Sequence, residues 1–197
     1  MGRMTRTLST PPVIEAGALS VRPQPVLPAA GGLLLRPWAE PDAPVFLSAY
    51  ADEALRRWHT RRPTSEEQIV GWFDGYREDW AREKGAHWAV TGATGEVLGR
   101  IALRGFDFDD GVAWAGYWVL PAARGAGVAT RALTAVAAWA LDEAGFHRVE
   151  LEHSVHNAAS CGVAGKAGFA LEGTKRRAAV HDDGPHDMHL HARVRGD

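Results

Sequence analysis

The stretch Arg124-Gly125-Ala126-Gly127-Val128-Ala129-Thr130 decides the reading of this chain, because a strand pattern ends before it and a helix pattern begins within it. Upstream, Val112-Ala113-Trp114-Ala115-Gly116-Tyr117-Trp118-Val119-Leu120 is apolar and aromatic, and Pro121 closes it. Downstream, Val128, Leu133, Val136, Ala137, Ala140, Leu141 and Ala144 keep helical spacing up to Gly145. A strand that turns through glycines into a helix start gathers free backbone N–H groups and the positive end of the helix dipole at one point. Such a point binds phosphate. Gly125 and Gly127 allow close approach of the backbone, with no Cβ in the way, and Arg124 adds a cation. A phosphorylated cofactor is the expected ligand.

On either side of this turn the chain alternates strand and helix signals. Leu33–Arg36 reads as a first strand, and Asp42 as the cap of a helix running to about Trp58. Thr64-Ser65-Glu66-Glu67 is a helix start, followed by Ile69, Val70, Phe73, Tyr76 and Trp80 at helical spacing. His87–Thr91 and Val97–Leu103 form a hairpin about Gly92–Gly95. After the glycine turn and its helix come a strand over His147–His153 and a short helix opened by Asn157 and ended by Gly168. Two closing strands follow, Phe169–Thr174 and His186–Val194. The order is β-α-α-β-β-β-α-β-α-β-β, with no internal repeat.

The 197 residues are about the length of one domain and suffice for a good core. A net charge of −2 gives no sign of a nucleic-acid or acidic-lipid surface. The single cysteine, Cys161, is read as excluding an internal disulfide framework and a Cys-based zinc site, and it fits a reducing, cytoplasmic setting. No apolar run reaches the roughly 20 residues that span a bilayer, and no signal peptide is recognised. Residues 1 to about 30 hold Pro11, Pro12, Pro23, Pro25 and Pro28, and are expected to form a mobile or extended arm outside the core.

A dinucleotide fingerprint would need a third glycine where Thr130 stands, an early position in the chain, and more sheet after it. A Walker loop fails too, since Gly165-Lys166 lacks both the upstream glycine and the hydroxyl residue. The competing reading of the turn is a pantetheine cofactor. Arg124, Gly127 and Ala129 match an Arg/Gln-x-x-Gly-x-Gly/Ala motif, and Asn157, Ser160, Val163, Lys166, Gly168 and Phe169 match a second pattern. With these two motifs the chain resembles the GNAT superfamily of acetyltransferases, and among them the RimJ/RimL-type N-acetyltransferases. Gly116-Tyr117-Trp118, Glu172-Gly173 and Arg176 agree with this. The strong match covers about 112–176, and 31–111 agrees in outline.

The resemblance implies an α+β fold in which a mixed sheet of about seven strands is flanked by about four helices, over 31–197 as a single domain. It implies acetyl-CoA as co-substrate, with no metal. Its pyrophosphate would lie on Gly125, Ala126, Gly127, Val128, Ala129 and Thr130, flanked by Arg124, and its pantetheine between splayed 112–120 and 147–154 strands, along Val119. Asn157 is read both as a contact to the pantetheine arm and as a helix N-cap. Attack of an amine on a thioester needs a proton acceptor and a partner for the departing thiolate. Many relatives carry an acidic tyrosine where this chain has Ala164. Ser160 is therefore the candidate beside the sulfur, or else a first-turn residue bonding backbone. Glu152, five residues before Asn157, is the candidate base, or a surface carboxylate.

Of the eight tryptophans, Trp72 and Trp80 are expected in packing, while Trp88, Trp114 and Trp118 are expected to wall the acceptor site. The basic run Arg56–Arg62 borders that site in the resemblance. Asp187, His189 and His191 share a strand face and are read as polar residues on a half-exposed strand, not as metal ligands. Cys161 is read as a small apolar residue, transfer being direct. The acceptor is a protein N-terminus or a small amine, and a homodimer is compatible with the resemblance. A competing reading is an acyl-CoA-binding sensor or interaction module without turnover.

Overall fold

In the computed structural model, which describes residues 10–197, the apolar runs assemble into one eight-stranded sheet. The strands are β1 (Leu27–Ala29), β2 (Leu33–Pro37), β3 (Gly85–Thr91), β4 (Val97–Asp107), β5 (Val112–Val119), β6 (Arg148–Ser154), β7 (Ala170–His181) and β8 (Gly184–Val194). Their order across the sheet is β1-β2-β3-β4-β5-β6-β8-β7. The helices are α1 (Ala43–Ala49), α2 (Glu53–Trp58), α3 (Glu66–Ala81), α4 (Val128–Ala138, widening into a π turn over Trp139–Glu143) and α5 (Ala158–Lys166). This is the mixed-sheet α+β architecture expected, with eight strands and five helices.

All neighbouring strands run antiparallel except β5 and β6, which α4 links as a parallel crossover. That pair is joined only from Val112↔Arg148 to Ala115↔Leu151, although β5 continues to Val119 and β6 to Ser154. Beyond Ala115 and Leu151 the two strands part. The gap leaves two strand edges unpaired in the middle of the sheet.

Both faces of β3 are buried, the polar His87 and Thr91 included. On one face α4 sets Val128, Ala132, Leu133, Val136 and Ala137 against Leu35, Trp88, Val90, Ile101, Leu103, Ala113 and Ala115. On the other, α1 and α3 pack Phe46, Ile69 and Phe73 against Trp38, Ala89 and Trp118. Leu133 is fully buried, so truncation to alanine costs about 2–5 kcal/mol.

Several elements differ from the expectation. The single helix from Asp42 to Trp58 is two. The Asp52 carboxylate accepts the Leu55 N–H at 3.0 Å and starts α2 afresh. Asp42 instead takes Arg36 in a two-point ion pair at 2.7 and 2.8 Å, and the Ala39 N–H at 2.9 Å. Those contacts hold its carboxyl below the usual range, against the opposing effect of burial. The closing hairpin is longer than its alternation suggested, because β7 continues to His181 as an exposed edge.

The proline-rich arm also differs. Residues 1–9 lie outside the described part, but from residue 10 onward the stretch packs on the domain. Ile14 and Leu27 are buried in the core, and β1, which holds Pro28, forms the sheet edge where proline is tolerated. The Glu83 carboxylate accepts the N–H groups of Gly17, Leu19 and Ser20 at 2.6–2.9 Å. Trp80 and Trp88 donate their indole N–H groups to Arg22 and Pro25 carbonyls at 2.8 and 2.7 Å. Side chains of the domain thus satisfy an irregular backbone that has few ladder partners of its own.

Candidate active site

Two cavities meet where β5 and β6 part. One, of about 790 Å³, runs along the end of β5, the glycine turn, the start of α4 and α5. The other, of about 760 Å³, lies between α1–α3, β4, β6 and the β7–β8 hairpin. They share Trp58, His59, Tyr117, Asn157 and Ser160.

In the first cavity Gly125 and Gly127 have φ of +77° and +72°, a region side chains disfavour, and a Cβ at either would meet nothing within 4 Å. Gly127 is the N-cap of α4, and no side chain caps it. The N–H groups of Val128, Ala129 and Thr130 precede the first intrahelical bond, from Arg131 N to the Gly127 carbonyl at 3.1 Å. The Arg131 guanidinium donates to the Ala126 carbonyl at 3.0 Å and fixes the turn from behind. Open N–H groups, the dipole and open space coincide, as phosphate binding requires. Arg124 lines the cavity, but its guanidinium pairs with Asp52 and its Nε donates to the Val119 carbonyl at 3.3 Å. It thereby ties the turn to the start of α2.

Asn157 caps α5, its Oδ1 accepting the Ser160 N–H at 3.1 Å, and it also borders both cavities. The Ser160 hydroxyl lies 2.8 Å from the Tyr117 hydroxyl. Burial pushes the Tyr117 phenol up to about 12, against the lowering effect of the Ser160 hydrogen bond. It therefore stays protonated across neutral pH. Sequence reasoning had sought the tyrosine at 164, where buried Ala164 faces the core, and passed over Tyr117. The available signal was position: Tyr117 is the second residue of β5 beyond the parting point.

Glu152 lies on the wall of the second cavity with Oε1 accepting from Lys175 Nζ at 2.6 Å. Glu150 does not reach either cavity and binds Arg148 at 2.7 Å. The expected tryptophan wall is elsewhere. Trp88 is completely buried under α4, Trp114 lies at the paired end of β5 outside both cavities, and Trp118 packs with Trp38 and Phe46 while edging the first cavity. The aromatic wall of the second cavity is Tyr50, Trp58, Trp72 and Tyr76. Trp72, expected in packing, is part of it.

That cavity is also basic. Arg104 makes no ion pair among the described residues, and burial lowers its pKa first of all. Arg100 donates to His87 Nδ1 at 3.0 Å and sits 5.4 Å from the Tyr76 ring centre. Arginine only donates, so Nδ1 accepts, and the His87 Nε2–H points to Asp79 at 3.2 Å. Burial, more than the neighbouring arginines, pushes His87 down to about 4, against the pull of Asp79. Burial does the same to His59, which spans both cavities. Of the basic run, Arg61 reaches the cavity, while Arg62 pairs with Asp182 in the hairpin turn. The cavity's two carboxylates, Asp79 and Glu152, are each already paired.

On the β8 face expected to be half-exposed, Asp187 and His189 are partly buried, and only His191 is fully covered. His191 is 2% exposed and its ring meets Cys161 of α5. His186 is buried too, with Nδ1 2.8 Å from the Ser154 hydroxyl. Asp187 accepts the Arg177 N–H at 2.8 Å.

Comparison with known proteins agrees with this fold. In fold the chain is similar to a ribosomal L7/L12 alpha-N-protein acetyltransferase, RimL, in complex with coenzyme A. The TM-score is 0.80 and the identity 22%, over 86% of this chain and 98% of that one. It is similar to RimJ of Mycobacterium smegmatis in complex with CoA-disulfide, with TM-score 0.78 and 24% identity over 86% of each chain. The microcin C7 self immunity acetyltransferase MccE, in complex with acetyl-CoA and AMP, gives TM-score 0.77 and 19% identity over 83% of this chain and 93% of that one. No curated protein matches the chain in sequence. The acetyltransferase (GNAT) domain family matches residues 32–170, well over half the chain, and the protein belongs to that family.

Proposed function

We propose that the protein transfers an acetyl group from acetyl-CoA to a primary amine that also carries an anionic group. The observation that carries this reading is the meeting of a phosphate-binding cavity and a basic, aromatic cavity at the Tyr117–Ser160 hydroxyl pair. The first cavity fits the cofactor: the N–H groups of Gly125–Thr130 suit a pyrophosphate, and the gap between β5 and β6 offers unpaired strand edges to the pantetheine amides. Acetyl-CoA, when bound, supplies an activated thioester.

The chain's part is proton traffic and positioning. The amine nitrogen forms the C–N bond as the C–S bond breaks. An amine with a pKa near 10 arrives mostly protonated, so it needs an acceptor, and Glu152 takes the proton through water. Tyr117, protonated and beside Ser160, gives its proton to the departing sulfur and is resupplied through the serine hydroxyl. Arg100 and Arg104, with no free carboxylate near them, hold an anionic group of the acceptor. The Lys175–Glu152 pair favours one competing reading, an acyl-CoA-binding module without turnover, because it occupies the base.

Thiol release separates the two. With acetyl-CoA and a panel of primary amines, turnover above the amine-free rate is expected, highest for amines bearing a carboxylate or phosphate. Glu152→Gln is expected to slow it by about 10²-fold with acetyl-CoA affinity unchanged. Tight acetyl-CoA binding without thiol release across the panel would leave the binding-module reading standing.

A further inference from the structure

Three histidines that the transfer chemistry leaves unused gather with the single cysteine beneath α5. His153 of β6 stands directly opposite His189 of β8, and His191 lies two residues farther along the same face of β8. Cys161 comes down onto them from α5, one residue after Ser160. One donor atom from each of the four lies within 4.8 Å of the others, and the group contains no carboxylate.

The hydrogen bonds determine which atoms are free. His153 Nδ1 is 2.8 Å from the Ser154 carbonyl, which only accepts, so Nδ1 carries the proton and Nε2 is a lone-pair atom. That Nε2 is buried without a partner, in a side chain only 5% exposed. His191 Nδ1 faces the Phe169 carbonyl at 3.4 Å, which leaves its Nε2 toward Cys161 Sγ at 3.8 Å. His189 Nδ1 is likewise buried and unpartnered among the described residues. A buried polar atom without a partner is costly. An imidazole that donates one N–H to a backbone carbonyl and aims the other nitrogen inward is also the arrangement that orients metal-bound histidine.

We propose that His153, His189, His191 and Cys161 bind a zinc-type divalent ion. Three imidazoles and a thiolate suit that class, whereas magnesium and calcium would require oxygen ligands. Zn–N near 2.0–2.1 Å and Zn–S near 2.3 Å imply ligand separations of about 3.4–3.6 Å, so a contraction of about 1 Å closes the site. Four protein ligands leave no open position, which makes the role structural. The ion would clamp α5, the helix that carries Ser160 and is capped by Asn157, onto β6 and β8. The wall of the acceptor cavity, where His153 stands, would be fixed by the same bond.

The test uses the full-length, untagged, reduced and metal-free protein, with cobalt(II) as probe and zinc as competitor. One cobalt per chain is expected, with a thiolate-to-cobalt absorption band and tetrahedral d–d bands that zinc abolishes. Cys161→Ser should remove the thiolate band, and His189→Gln should weaken cobalt binding by more than about tenfold, both variants retaining the parent circular dichroism. No stoichiometric cobalt binding, or binding undiminished in both variants, overturns the proposal.

Discussion

The two cavities that meet at Tyr117 and Ser160 are made of different material. The proposed cofactor side is built about a backbone turn: the contiguous segment 124–130 brings glycines at positive φ and open N–H groups, and side chains of α2, β5 and α5 complete the wall. The proposed acceptor side is mostly side chain: aromatic rings from α1–α3, arginines from β4, a glutamate from β6 and a histidine from the β7–β8 hairpin. A backbone turn is tied to local sequence and, at its positive-φ positions, to glycine. A side-chain site is assembled from distant positions and depends on how their charges are balanced.

The sharpest way to break this contrast is Gly127→Val. The substitution places a branched side chain at φ +72° and at the mouth of the turn, so it acts on one cavity only. Loss of two or more charge-assisted bonds to a phosphate, about 3–4 kcal/mol, predicts a 10²–10³-fold fall in acetyl-CoA affinity by calorimetry. Binding of an amine acceptor alone should be unaffected.

Acid should act in the opposite sense, on the acceptor side. His87 is held neutral by burial between Asp79, Arg100 and the Tyr76 ring, at about 4 against an ordinary 6.5. Its folded pKa is depressed, so its contribution to stability is complete above pH 6.5 and is lost as pH falls towards 4 while the unfolded chain takes up the proton. The shift corresponds to about 3 kcal/mol. Thermal melts between pH 7 and 4 should show this loss, and it should shrink in His87→Gln.

At the junction, Tyr117→Phe keeps the ring and removes the proton. It should lower kcat by about 10²-fold and leave acetyl-CoA affinity within about threefold. An equal loss in both would mean that the phenol only packs. The smallest effect belongs to Arg104→Gln, expected to raise KM for an anionic amine about tenfold with kcat and acetyl-CoA affinity nearly unchanged.

The same contrast explains what could be read from the sequence. The glycine turn, its helix, the Asn157 cap and most of the element order along the chain were legible, because each rests on contiguous residues whose local geometry has few alternatives. The short edge strand at Leu27–Ala29 was not, since three residues with a proline carry no period. The break at Asp52 was missed because an N-cap inside a continuous helical pattern looks like one more polar residue. Trp88 and Trp114 were assigned to a wall by their strands, but strand faces alternate, and the parting of β5 from β6 decides which residues see the cleft. Tyr117 lies beyond that point and Trp114 before it. Arg100, Arg104 and Tyr76 gave no signal because their convergence is a property of the whole sheet.

The most direct test of the central claim is a calorimetric titration of the protein and of Gly127→Val with acetyl-CoA, with NADH as control. One-to-one binding of acetyl-CoA by the parent protein, lost in the variant and absent for NADH, is the result this account predicts. No acetyl-CoA binding by the parent, or equal binding by the variant, would contradict it.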